Sequence, residues 1–155
     1  MRRGNRLAIL ATPLAAPLIR EVAREAVRAG ALVSSLLQLP GLMEILLKEA
    51  SEEQLTFVSP LQRLLWEEYA ALLDIESEEN TCELSGVDPA RLALAQQAAS
   101  VMREIVQERT LPDRRHDPQS LRWTATMFPT PACAQNAGMS LSDFEGLSRR
   151  GLLFG

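Results

Sequence analysis

Histidine is almost missing from this chain: 155 residues contain one, His116. Metal sites and acid–base centres need several convergent, well-spaced donors, so a histidine-built centre is excluded from the outset. His116 sits among Asp113, Arg114, Arg115 and Asp117 in a proline-flanked stretch, which reads as a solvated loop. H-E-x-x-H and C-x-x-C spacings do not occur. The two cysteines, Cys82 and Cys133, are far apart and read as free thiols of a cytoplasmic protein. Neither has a histidine placed to activate it as a nucleophile.

Other absences exclude further classes. A net charge of −4 supplies no basic footprint, so nucleic acid is not an expected partner. No segment approaches the ~20 uninterrupted apolar residues of a membrane span. Arg2, Arg3 and Arg6 ahead of Leu7–Ile19 imitate an export signal, but Pro13 and Pro17 interrupt the run and Arg20 opens a charged helix face. The turn Ala11-Thr12-Pro13-Leu14 lacks the glycines that let a backbone approach pyrophosphate, which argues against a dinucleotide. Glu76, Glu78, Glu79 and Glu83 lack the alternation and glycine of a calcium loop and read as a solvated acidic stretch.

What is present is ordinary globular material, 46% apolar and 23% charged, enough for a single domain over residues 1–155. Four short apolar runs, Leu7–Ala11, Ala31–Leu39, Ala70–Ile75 and Leu121–Phe128, have the continuous character of strands covered on both faces. Helices alternate with them. Thr12-Pro13 caps the first, whose buried face is Leu18, Ile19, Val22, Ala23, Ala26 and Val27 and whose stop is Gly30. Ser51-Glu-Glu-Gln54 has capping-box spacing, and Ser59-Pro60 opens another helix. Asp88-Pro89 starts one long helix to about Arg109, and Thr130-Pro131 and Ser140 start the last two. The expected fold is α/β: a three-layer sandwich with a mostly parallel sheet of about four strands flanked by helices. Arg122 and Trp123 could anchor a groove, though a half-buried strand tryptophan is the simpler expectation.

One stretch goes further. Arg122, Trp123, Thr126, Phe128, Pro129, Thr130, Ala132, Ala134, Gln135, Ala137, Gly138, Met139 and Ser140 keep a residue order that resembles the aminopeptidase T-like, dinuclear metalloaminopeptidases. Asn5–Leu10, Pro17–Gly30, Glu44–Phe57 and Gly86–Leu92 resemble further pieces of the same N-terminal domain, in the same order. The resemblance implies metal-dependent exopeptidases that release N-terminal residues using two divalent ions, zinc or cobalt, and that generally work as homodimers, so a homo-oligomer is expected. It also implies that the metal ligands lie in a C-terminal domain. No position here matches them, so no catalytic, cofactor-binding or metal residue is assigned.

The pattern is departed from at both ends. Met1-Arg-Arg-Gly-Asn stands where an additional helix is expected, and Gly-Leu-Leu-Phe-Gly155 follows Arg150 where family members continue. We therefore expect a non-catalytic N-terminal domain or fragment, whose partners are the C-terminal catalytic domain and further copies of itself. An apolar surface around Phe144, Leu147 and Leu152 is the expected meeting place. The alternatives are a stand-alone interaction or scaffold domain and, third, an unrelated small-molecule-binding α/β protein.

Overall fold

The computed structural model describes residues 3–110, 117 and 120–153, apart from the side chains of 101 and 151–153. All four apolar runs form strands: β1 (Arg6–Ala11), β2 (Leu32–Leu37), β3 (Ala71–Glu76) and β4 (Arg122–Met127). They make one sheet in the order β2-β1-β3-β4, and every pair is parallel. Parallel strands need crossover connections, and here helices supply them.

β1 sits inside the sheet, and its residues Leu7 to Ala11 are all buried. Alternate side chains face opposite ways, so both faces need cover. Leu7, Ile9 and Ala11 join Ala71 and Ile75 beneath α1 (Ala16–Arg28), which contributes Leu18, Ile19, Val22, Ala23 and Ala26. Ala8 and Leu10 join Leu72 and Leu121 on the other face, where α4 (Pro60–Glu68) contributes Leu65 and Trp66. Tyr69 closes that side, its hydroxyl donating to Ser34 Oγ of β2 at 2.9 Å.

Val27, expected on the buried face of α1, is 64% exposed. Each residue turns the helix by about 100°, and that step carries Val27 off the stripe ending at Ala26. The outer strands also differ from expectation. β4 is exposed at five of its six positions, with Leu121 and Phe128 packed into the two core faces on either side of it. An edge strand has one neighbour, and apolarity alone does not supply the second.

The helix signals are mostly obeyed. Thr12 Oγ1 accepts from Leu14 N at 3.3 Å, but the helix expected from Pro13 begins as a 3₁₀ turn, Pro13–Ala15. Gly30 (φ 82°) ends α1 with Ala31 N bonding to Ala26 O at 2.9 Å, a closure that needs the left-handed region. Gly138 (φ 65°) ends α7 (Pro131–Asn136) the same way, before α8 (Leu141–Leu153). Ser51 and Gln54 complete both halves of the capping box on α3 (Glu52–Leu55), at 3.2 and 2.8 Å.

The long helix expected after Asp88 is two helices, α5 (Pro89–Ala98) and α6 (Ser100–Thr110). The break at Ala99 lets α5 follow α2 (Leu42–Glu49) and α3 while α6 follows α4. Leu47, Leu55 and Val87 with Leu92, Leu94 and Ala95 form a satellite core beside the sheet. Arg91 fastens it, donating to the carbonyls of Leu47 (2.5 Å) and Ala50 at the end of α2, where a cation is favoured.

Asp88 Oδ1 accepts from Ala90 N at 2.8 Å, so it caps α5. Asp88→Ala should lower stability by about 0.5–2 kcal/mol, read from urea denaturation. An unchanged midpoint would show that α5 does not depend on this cap.

Candidate functional site

The strand order creates a switch point. From β1 the chain moves outward to β2, then returns past β1 to β3 and β4. In open α/β sheets ligands bind where such paths diverge, at the carboxyl ends of the strands. Here those ends carry three hydroxyl residues: Thr12 after β1, Ser77 after β3 and Thr130 after β4.

The hydroxyls bond to the chain itself. Thr12 Oγ1 donates to Ser77 O at 3.1 Å and lies 2.7 Å from Ser77 Oγ. A hydroxyl has one proton, so with that bond made Thr12 accepts from Ser77. Thr130 Oγ1 donates to Glu78 O at 2.7 Å and accepts from Cys133 N at 3.2 Å, capping α7. Ser77 and Thr130 are each 3% exposed. The three side chains stitch the ends of β1, β3 and β4 together.

Asp74 is a carboxylate inside β3, two residues before the exposed Glu76 that ends the strand. It stands between Leu10 of β1 and Ala125 of β4 in register, half-buried, on the same face as Leu72. Burial first, and the like charge of Glu76 second, push its carboxyl above the ordinary range. Glu76, Glu78 and Glu79 are exposed along the outgoing chain. Glu83 is not simply solvated as expected: its Oε1 accepts from Gly41 N at 3.0 Å, tying the acidic loop to the start of α2.

Other candidates lie apart from this edge. Arg122 and Trp123 begin β4, at its amino end, and with Val106, Arg109 and Leu121 line a cavity of about 530 Å³. Trp123 is 52% exposed, more than a half-buried strand residue. Arg109 donates to the carbonyl of Trp66, and burial lowers its pKa. Cys82 is exposed, Cys133 is buried, and both are free. His116 lies outside the described residues. Of the proposed interaction surface, Leu147 is 55% exposed and Phe144 half-buried, while the side chain of Leu152 is outside the described set. Asp74 and Ser77 were not singled out from sequence, although both are polar interruptions closing the apolar run from Ala70.

The family model for thermophilic metalloprotease (M29) matches residues 1–148. The chain belongs to that family. Among solved structures, wild-type AmpT from Thermus thermophilus superposes with a TM-score of 0.68 at 25% identity, over 97% of this chain and 37% of that one. The chain thus spans well under half the length of that relative. A search of curated proteins returns no match.

Members of this metalloprotease family use metal, and two-metal hydrolysis holds its ions roughly 3.5–4 Å apart within a shared ligand set. The described donors do not fit such a set. Among the described residues no group of three or more His, Cys, Asp or Glu is placed to hold an ion. Asp74 and Glu76 share one face of β3, a pair of carboxylates that no third described donor joins.

Because the folded-state pKa of Asp74 is raised, the unfolded chain ionises first as pH rises. The protonated carboxyl favours the fold at low pH, and this contribution is lost as pH climbs through the carboxylate range. Asp74→Asn stays neutral throughout. At pH 7 it should need more urea to unfold than the parent, and the two midpoints should converge below the unfolded pKa of about 3.9. A variant less stable at pH 7 would show that the ionised carboxylate has a favourable partner.

Proposed function

We propose that this chain is the metal-free α/β portion of a metal-dependent aminopeptidase and is inactive by itself. Release of N-terminal residues from peptides belongs, in this reading, to a C-terminal portion that carries the ligands. The carrying observation is the asymmetry of the match: 97% of this chain but 37% of AmpT. The donor chemistry supports it, since the polar groups at the switch point bond to one another and the carboxylates do not converge.

Zinc or cobalt bound by the other portion would polarise the scissile carbonyl and acidify a water. This chain's own contribution is to present packed surfaces: the carboxyl edge fixed by Thr12, Ser77 and Thr130, and the outer face of β4. The compartment that suits it is the cytoplasm, where an exposed thiol such as Cys82 stays reduced. No helix among the described residues is long and apolar enough to cross a membrane. A second reading, a stand-alone interaction domain, is favoured by the exposed apolar side chains of α2.

Metal analysis of the purified chain, paired with an aminopeptidase assay on aminoacyl substrates, tests the first reading. Neither stoichiometric zinc or cobalt nor turnover is expected. Metal-dependent release that tracks the protein through purification and persists in His116→Ala would place an active site in this chain.

A further inference from the structure

β4 has an outer edge with no strand beside it among the described residues. Arg122 N donates to Ala70 O at 3.1 Å and Phe128 N to Glu76 O at 2.8 Å, so the even-numbered residues turn their backbone groups toward β3. The N–H and C=O of Trp123, Ala125 and Met127 therefore point outward. Native sheets usually blunt such an edge with a proline, a lysine or a bulge. β4 contains neither proline nor lysine, and its register with β3 runs unbroken from Arg122 to Met127. Its outward backbone groups are laid out for one more strand.

We propose that this edge binds a short extended peptide with free ends, antiparallel to β4, its ammonium beside Glu76 and its carboxylate beside Arg122. Charge sets the direction. Exposed Arg122 opens the strand, and exposed Glu76 lies in register with Met127 at its close, followed by exposed Glu78 and Glu79. A peptide running the other way would set like charges together at both ends. β2, the other edge strand, has no charged residue from Leu32 to Leu39 to hold a ligand's ends. That the occupant is a free peptide rests on the aminopeptidase reading, whose substrates carry an ammonium at one end.

Geometry sets the length and the side chains. In an antiparallel pair, opposed residues exchange both backbone bonds at alternate positions. The first, third and fifth residues of the peptide thus bond to Met127, Ala125 and Trp123. At about 3.4 Å per residue, a pentapeptide spans that edge from end to end. The same three residues place their side chains on the face of Trp123 and Met127, which are 52% and 42% exposed, so apolar residues are favoured there. The second and fourth turn to the opposite face with Thr124 and Thr126, where polar residues suit. Main-chain bonds carry the affinity, which makes the site tolerant of sequence.

Titration of the 155-residue chain with the pentapeptide Leu-Ser-Val-Ser-Leu, free at both ends, is followed by amide chemical shifts. The amides of Trp123, Ala125 and Met127 should move together and saturate, and those of β2 should stay still. N-methylation of the central valine removes the donor to Ala125 O and should abolish binding without any change to the protein. Ala125→Pro deletes an outward N–H that β3 does not use, at a place where an edge strand tolerates proline. It should also lose the peptide, with an unchanged circular dichroism spectrum. N-acetylation or C-amidation of the peptide should each weaken binding about two- to fivefold, the worth of an exposed ion pair, and Arg122→Ala should remove the penalty for amidation alone. No shift at β4, shifts at β2 instead, equal binding of the N-methylated peptide, or an edge already occupied by a second copy would each overturn the proposal. The readout is binding, so its failure is separate from that of the aminopeptidase reading, which the metal and turnover assays decide.

Discussion

The burial of β1 on both faces is the constraint from which the rest follows. Ala8 and Ile9 are fully buried, and every position from Leu7 to Ala11 pairs with β2 on one side and β3 on the other. A strand so placed has its backbone groups satisfied by two ladders and its side chains by two helical layers. α1 and α4 are held where they are because Ile9 and Leu10 point opposite ways. The same arrangement brings Thr12 to Ser77, since β1 and β3 run in parallel and end at one edge.

Much of this could be read from residue order. Continuous apolar runs located all four strands, and Thr12, Ser51, Asp88 and Thr130 each accept the backbone bond that their position at a helix start implied. Gly30 and Gly138 end helices because the closing residue needs positive φ. These are local properties, settled within a few residues. What escaped the sequence is set by neighbours in space. Ala99 fits the apolar spacing of one long helix, yet the chain breaks there because α5 and α6 have different packing partners. β4, expected to be covered like β1, is open, because its three polar residues and its place at the edge of the sheet leave it without a second neighbour. Asp74 and Ser77 gain their character from a register that only folding creates.

The candidate site shows the same division. From sequence alone, donors are expected to be too few and too scattered for a hydrolytic centre. Sequence could not say that the hydroxyls at the switch point would be consumed in holding strand ends together, or that Glu83 would reach Gly41. The hydroxyl bonds tie the carboxyl ends of β1, β3 and β4 to one another.

Native-state hydrogen exchange tests the role of β1 most directly. If the account holds, the amides of Ala8–Leu10 and Leu72–Leu73 exchange only through global unfolding, with the largest protection in the chain. The amides of α2 and α3, whose core contains no strand residue, then exchange through a separate opening of lower free energy. Equal or greater protection in α2 and α3 than in β1 would contradict it, because the sheet would then no longer be what the remaining elements depend on.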